Sequence, residues 1–264
     1  MPELAELKLT ADYINQVSDG VEFNRISKNS SHKGTLIQLP FTNFTISAES
    51  RGKELILYFT NAKTKANQSD TIPMRMTMGM AGCFRITPIG DEAKHSHLMF
   101  HSNNQTLSFV DVRRFGKWKL GYSWSENRGP DPMTDYNAFC NNISQNLDKK
   151  IFDKPLLEIM MDQKYFNGIG NYLRAEIIYA AKDVNPFLAA NQQLKTYPKI
   201  LDLCHNITKL AYVRGGGCLH DWKNPFDETL DAKGFMLCYG NSNMSQMIDK
   251  HKRRFWYDSK WNFK

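Results

Sequence analysis

The first three residues, Met1-Pro2-Glu3, carry the most direct chemical possibility in the chain. Removal of Met1 would leave Pro2 as a secondary amine. An α-amino group has a pKa of roughly 7.7–8.0, so a useful fraction is neutral and nucleophilic at physiological pH. Such an amine can attack an electrophilic sugar carbon and form a Schiff base. Glu3 and Glu6 stand close by as general acids or bases. Taken alone, Met-Pro-Glu is also an ordinary start to a chain. A second segment, Asn167-Gly168-Ile169-Gly170-Asn171, suits an anion. Its glycines let backbone N–H groups converge, and a following helix would present its positive end, as for a nucleic-acid phosphate. The same run fits a plain turn between helices. It lacks the Gly-Lys-Ser/Thr ending of a nucleoside-triphosphate loop. A third, Lys252-Arg253-Arg254-Phe255-Trp256-Tyr257, reads as a strand of a basic hairpin able to grip phosphates, or as a basic surface strand.

These groups need elements to position them. Leu4, Leu7, Ala11, Ile14 and Val17 recur at spacings of three and four, which predicts a helix. Phe44, Ile46 and Ala48 alternate with polar residues as in a half-buried strand. Glu54–Phe59, Met74–Met80, Cys83–Thr87, Leu98–His101 and Leu107–Val112 read as further strands, and short strands with frequent turns point to a sandwich or barrel. Residues 124–144 are turn-rich, with Gly129-Pro130-Asp131-Pro132 at their centre, and read as a linker. Beyond it, Asp153 is expected to cap a helix with Pro155 in its first turn. A second helix starts near Asn171, with Leu173, Ile177 and Ala181 on one face. The last thirty residues read as a loop and two short strands.

Composition narrows the function classes. The chain has 264 residues, of which 41% are hydrophobic, enough for a real core. No run of about eighteen apolar residues is present, so no membrane partner is expected. Neither is a secretory leader, because the start has no basic or apolar stretch. Five widely spaced cysteines, Cys83, Cys140, Cys204, Cys218 and Cys238, argue against a disulfide framework and for a reducing intracellular compartment. The formal charge is +7. It concentrates in residues 111–119 and 249–264, both interleaved with aromatics. That suits a polyanionic partner and equally a solvated basic surface.

Five segments, in order, resemble the landmarks of the Fpg/Nei DNA glycosylases. They are Met1-Pro2-Glu3-Leu4-Ala5-Glu6, Arg51-Gly52-Lys53-Glu54, Met78-Gly79-Met80-Ala81-Gly82, Asp111-Val112-Arg113-Arg114-Phe115-Gly116 and the long run from Asp162 through Asn171 to Glu176. Within the family the chain looks most similar to the vertebrate-type endonuclease VIII-like enzymes. The resemblance implies an α+β protein with an N-terminal helix and two-sheet β-sandwich over 1–123, then the linker 124–144. A helix–two-turns–helix domain would follow over 145–264, ending in a β-hairpin finger from about 235. It implies base excision repair of oxidised bases in damaged DNA by a glycosylase and AP lyase. Pro2 would be the nucleophile, Glu3 the proton relay and Glu6 its support. Lys53 would hold phosphate and sugar at the lesion, while Asn171 and Arg253 clamp the backbone. Met80, Arg113 and Phe115 would fill the space of an extruded base. Side-chain type alone would bury Met80 and Phe115 in a core.

Three departures from the family pattern stand out. Most relatives carry two Cys-x-x-Cys pairs in the finger, binding zinc, and a zincless-finger branch keeps the hairpin without it. Here no cysteine follows Cys238 and the only nearby histidine is His251, so a zincless finger is expected, with Trp256 and Tyr257 supplying packing. Ala5 stands where relatives usually have Pro or Gly. Gly217 stands about where close relatives offer a basic lesion-sensing side chain, leaving oxidised pyrimidines and hydantoins as the expected substrates. A monomer without cofactor or metal is expected, nuclear if its host is eukaryotic. The rivals are a catalytically dead binder of distorted DNA and a nucleic-acid scaffold such as a ribosomal component.

Overall fold

The computed structural model describes the chain except residues 64–69, 218–221, 228, 231–234 and 260–264. Cys218, Lys260 and Lys264 therefore lie outside the described residues. Two units form. One comprises Met1–Pro2, Glu6–Trp124 and Cys218–Leu230, the other Glu3–Ala5, Ser125–Gly217 and Asp231–Lys264.

Helix α1 (Leu4–Ser18) has the predicted apolar face, with Leu7, Ala11 and Ile14 buried. Eight strands follow it: β1 (Arg25–Lys28), β2 (Phe44–Arg51), β3 (Glu54–Asn61), β4 (Thr71–Thr77), β5 (Cys83–Pro88), β6 (Ser96–His101), β7 (Gln105–Val110) and β8 (Lys117–Leu120). They make two antiparallel four-stranded sheets, ordered β2-β3-β4-β8 and β1-β6-β7-β5. The inward residues of both sheets share one core. Phe44, Ile46, Leu55, Leu57, Phe59, Met74 and Met76 come from the first, and Phe84, Leu98, Phe100, Leu107 and Phe109 from the second. Burial of this apolar set, at about 25 cal/mol per Å², is what holds the unit. Three bonds fasten α1 to the sheets: Asn15 pairs with both the N–H and the carbonyl of Ala48, and Tyr13 Oη accepts from Ile86 N–H at 3.1 Å.

Strand β4 spans Thr71–Thr77 rather than 74–80 because Gly79 takes φ 62° and turns the chain. Likewise β7 stops at Val110, since the Asp111 carboxylate draws the chain round onto itself. The short edge strands β1 and β8 were not foreseen.

The second unit is helical, with α2 (Tyr136–Ser144), a 3-10 turn (Lys150–Asp153), α3 (Leu156–Ile159), α4 (Asn171–Ala181), α5 (Ala190–Thr196) and α6 (Ile200–Val213), then a hairpin of β9 (Ser245–Ile248) and β10 (Arg254–Tyr257). The architecture is thus α+β. Residues 136–144, assigned to the linker on sequence, are helical because Phe139 and Ile143 recur at helical spacing and are buried. Asp153 caps nothing. It closes the 3-10 turn, its carboxylate accepts from Asn191, and the N-cap of α3 is Pro155. Helices α5 and α6 were also unread. In α4 every residue from Tyr172 to Ile178 is buried, so this helix is the hub of its unit.

Candidate DNA-repair site

Glu3 is 3% exposed. Its carboxylate accepts three backbone N–H bonds, from Gly170 at 2.7 Å, Tyr172 at 3.1 Å and Leu173 at 3.3 Å. Gly170 is the N-cap of α4 and has no side chain to offer, so Glu3 caps the helix from far away in sequence. A carboxylate there satisfies orphan donors and meets the positive end of the helix dipole. The Leu4 N–H donates to the Gly168 carbonyl at 3.1 Å, which fixes the backbone beside Glu3. The anion expected at the Asn167–Asn171 turn is therefore the chain's own Glu3. Gly168 N–H is also taken, by Gln163 Oε1 at 3.0 Å.

Asn171 itself is half-buried. Its amide donates to the Arg254 carbonyl at 2.7 Å, and its oxygen accepts from Arg174. Arg174 is fully buried and donates to the Leu157 carbonyl at 2.8 Å and to Asp249 Oδ2 at 3.1 Å. It also lies over the Phe255 ring, 4.8 Å from the centroid. The Asp249 carboxylate in turn accepts the His251 and Arg253 N–H groups, both at 2.9 Å. Burial would raise the Asp249 carboxyl, but those N–H bonds and Arg174 outweigh it and hold it below its ordinary range. The hairpin turn carrying Arg253, whose side chain is exposed, is thus locked to α4 by a buried ion pair.

This lock and an aromatic cluster hold the finger. Tyr257 meets Phe187 and Phe255 at 5.3 and 5.9 Å, and Trp256 meets Tyr239 at 6.0 Å. The other side of α4 does the same for the preceding segment, because buried Glu176 accepts from the N–H groups of Leu237, Cys238 and Tyr239. Burial above all, with Glu176 nearby, pushes the Cys238 thiol up to about 12. His251 is exposed, and among the described residues no three His, Cys, Asp or Glu side chains converge as a metal set. The donors among the described residues do not fit the zinc that most of the family's fingers hold.

In the first unit, Pro2 is buried at the chain start and Glu6 is buried on α1, 2% exposed. Lys53 sits half-buried at the two-residue turn between β2 and β3, where Arg51 pairs with Glu54. Gly52 supplies the φ of 57° that such a tight hairpin asks of its first central residue. Met80, Arg113 and Phe115 come together on two touching loops: a Cβ on Gly79 would lie 2.7 Å from Gly116 N and the Phe115 carbonyl carbon. Phe115 is not core but 52% exposed, with the Arg113 guanidinium 5.2 Å over its ring. Met80 is half-buried.

The glycine run near Gly217 has a local reason. Gly216 N–H donates to Ala211 O at 2.8 Å and Gly215 N–H to Tyr212 O at 3.0 Å, both at positive φ. That is a Schellman cap ending α6. Arg174, Asp249 and Glu176 escaped sequence reasoning as functional positions. A charged residue at a buried register of α4 was the available signal.

The formamidopyrimidine-DNA glycosylase N-terminal domain matches residues 1–118. Human endonuclease 8-like 1 is 33% identical over 283 residues, covering 97% of this chain and 72% of that protein. Formamidopyrimidine-DNA glycosylase of Zymomonas mobilis is 28% identical over 243 residues, covering 86% of this chain and 84% of that protein. Among solved structures, wild-type Lactococcus lactis Fpg (MutM) in complex with DNA containing an oxidized pyrimidine covers 100% of both chains. Its TM-score is 0.79 at 21% identity, a likeness of fold. With this sequence match over 97% of the chain and the shared fold, the chain belongs to the Fpg/Nei family of DNA glycosylases.

Proposed function

We propose that the protein is a bifunctional glycosylase and AP lyase that removes oxidised bases, chiefly pyrimidines and hydantoins, from DNA. Where its host is eukaryotic it would act on nuclear DNA. Pro2, with Met1 removed, attacks C1′ with its nitrogen lone pair as the bond from C1′ to the base breaks. Glu3 takes the proton that the Pro2 nitrogen loses on bonding and passes it to the sugar ring oxygen; the base leaves with its bonding pair and is protonated by solvent, the ring opens, and a Schiff base forms. The iminium acidifies C2′. Loss of that proton expels the 3′ phosphate, and a second elimination expels the 5′ phosphate. Lys53, Asn171 and Arg253 would bind backbone phosphates, positioning without reading sequence. Met80, Arg113 and Phe115 would occupy the vacated stack.

The observation that supports this reading is the fixed carboxylate of Glu3 next to Pro2. Three amide donors hold its two oxygens in place, as a relay at a sugar requires. Borohydride trapping on an oligonucleotide with one abasic site or thymine glycol tests it, alongside intact mass to show that Met1 is absent. Native protein should give a covalent protein–DNA band, and Pro2→Gly and Glu3→Gln should lose or alter it. Absence of any band from protein lacking Met1 would leave a damaged-DNA binder instead.

A further inference from the structure

The loop carrying Arg113 and Phe115 stands on a buried polar scaffold that the proposed chemistry does not use. Asp111 is fully buried. Its carboxylate accepts the Arg113 N–H at 3.1 Å and the Gly116 N–H at 2.8 Å, and its carbonyl accepts the Arg114 N–H at 3.2 Å. That carbonyl also pairs with His97 Nε2 at 2.9 Å. His97 is 2% exposed, and its ring lies 5.1 Å from that of His32, which stacks on Trp118 at 4.4 Å. Arg114, a non-glycine residue, is held at φ 58°, a strained conformation that surroundings must impose. Above this base the chain exposes Val112 by 54% and Phe115 by 52%, an uneconomical surface for water to face.

We propose that His97 and Asp111 are positioning residues that hold Arg113 and Phe115 ready to enter the base stack. The inference rests on the proposed DNA-repair reading and deepens it. His97 donates through Nε2, so its neutral ring leaves Nδ1 as a bare acceptor. Gly34 N–H donates to His32 Nδ1 at 2.9 Å, so the neutral ring of His32 carries its hydrogen on Nε2, without a partner. An imidazole at 97 sets the Asp111 carbonyl, and the Asp111 carboxylate sets both ends of the display loop.

The test compares two substrates. A thymine glycol paired in a duplex needs the stack opened, whereas an abasic site in a single strand does not. In His97→Leu and in Asp111→Asn, excision from the duplex should fall about tenfold or more, the effect of losing one bond to a charged or buried partner. Trapping on the single-stranded abasic site should stay within about threefold of native. The fluorescence rise of a 2-aminopurine beside the lesion, which reads stack opening, should be lost in both. His97→Gln, whose amide can reach the same carbonyl, should restore excision and fluorescence. Equal losses on both substrates, or undiminished duplex excision in both variants, would overturn the proposal. If the native protein traps neither substrate, the catalytic reading fails, and the 2-aminopurine response alone then decides the role of the loop.

Discussion

Removing the Asp249 carboxylate would isolate a buried guanidinium. Arg174 and Asp249 have side chains 0% and 1% exposed. Water therefore cannot take over when one of them goes. Deleting one partner of a buried pair costs about 3–5 kcal/mol. Asp249→Ala also frees the His251 and Arg253 N–H groups, but these lie in a surface turn and rehydrate cheaply. The cost set by the pair, about 3–5 kcal/mol, is roughly a fifth or more of a typical domain's stability. Urea denaturation should report that loss, and hydrogen exchange should place it in β9 and β10. The decisive variant is the double change Arg174→Met with Asp249→Leu. Removing both charges removes the desolvation cost, leaving mainly an unmet Leu157 carbonyl at about 1 kcal/mol, so the double variant should be more stable than either single one. A double variant as weak as the summed singles, or an Asp249→Ala protein within about 1 kcal/mol of native, would refute the assignment of the finger's rigidity to this pair.

Two further outcomes follow from local geometry. Gly79→Ala should destabilise by about 1–3 kcal/mol and displace Phe115, because its Cβ meets backbone at 2.7 Å; Gly90→Ala, also at positive φ but with open space around it, should cost less in the same melt. Burial pushes both His32 and His97 below their ordinary range, with Lys28, His95 and Arg114 opposing protonation and Asp111 favouring it. A depressed histidine contributes stability that is full above its unfolded value near 6.5 and is lost as pH falls from there through the folded value. The first unit should therefore weaken below about pH 6.5, followed through the fluorescence of Trp118 stacked on His32. The carboxyl of Asp249, also depressed, holds its contribution down to its unfolded value near 3.9, so the finger should outlast the sandwich on acidification.

Sequence patterning carried much of this molecule. The alternation of Phe44, Ile46 and Ala48 and the three-four spacing of Leu4, Leu7, Ala11 and Ile14 are direct imprints of which face meets the core. Strand ends were less legible, because Gly79 and Asp111 end their strands through a positive φ and a side-chain bond that hydropathy does not see. Pro2, Glu3, Lys53 and the loop residues were visible as motif positions. Two features of the site were not visible. The Asn167–Asn171 turn looked like a phosphate cradle, and nothing linear reveals that Glu3 already fills it. The finger looked merely zinc-free, and the Arg174–Asp249 pair that fastens it joins residues 75 positions apart.

The capping of α4 by Glu3 also bears on how the protein is made. The bond from Glu3 to Gly170 spans 167 residues. At a synthesis rate of about 5–20 residues per second, the carboxylate waits on the order of ten to thirty seconds for its partners to be translated. The nascent start of the chain thus carries its acidic residue unanchored until the hub helix exists. On the proposed mechanism catalytic competence would arrive late in biogenesis, and a truncated product lacking α4 would hold Pro2 and Glu3 without the bonds that fix the Glu3 carboxylate.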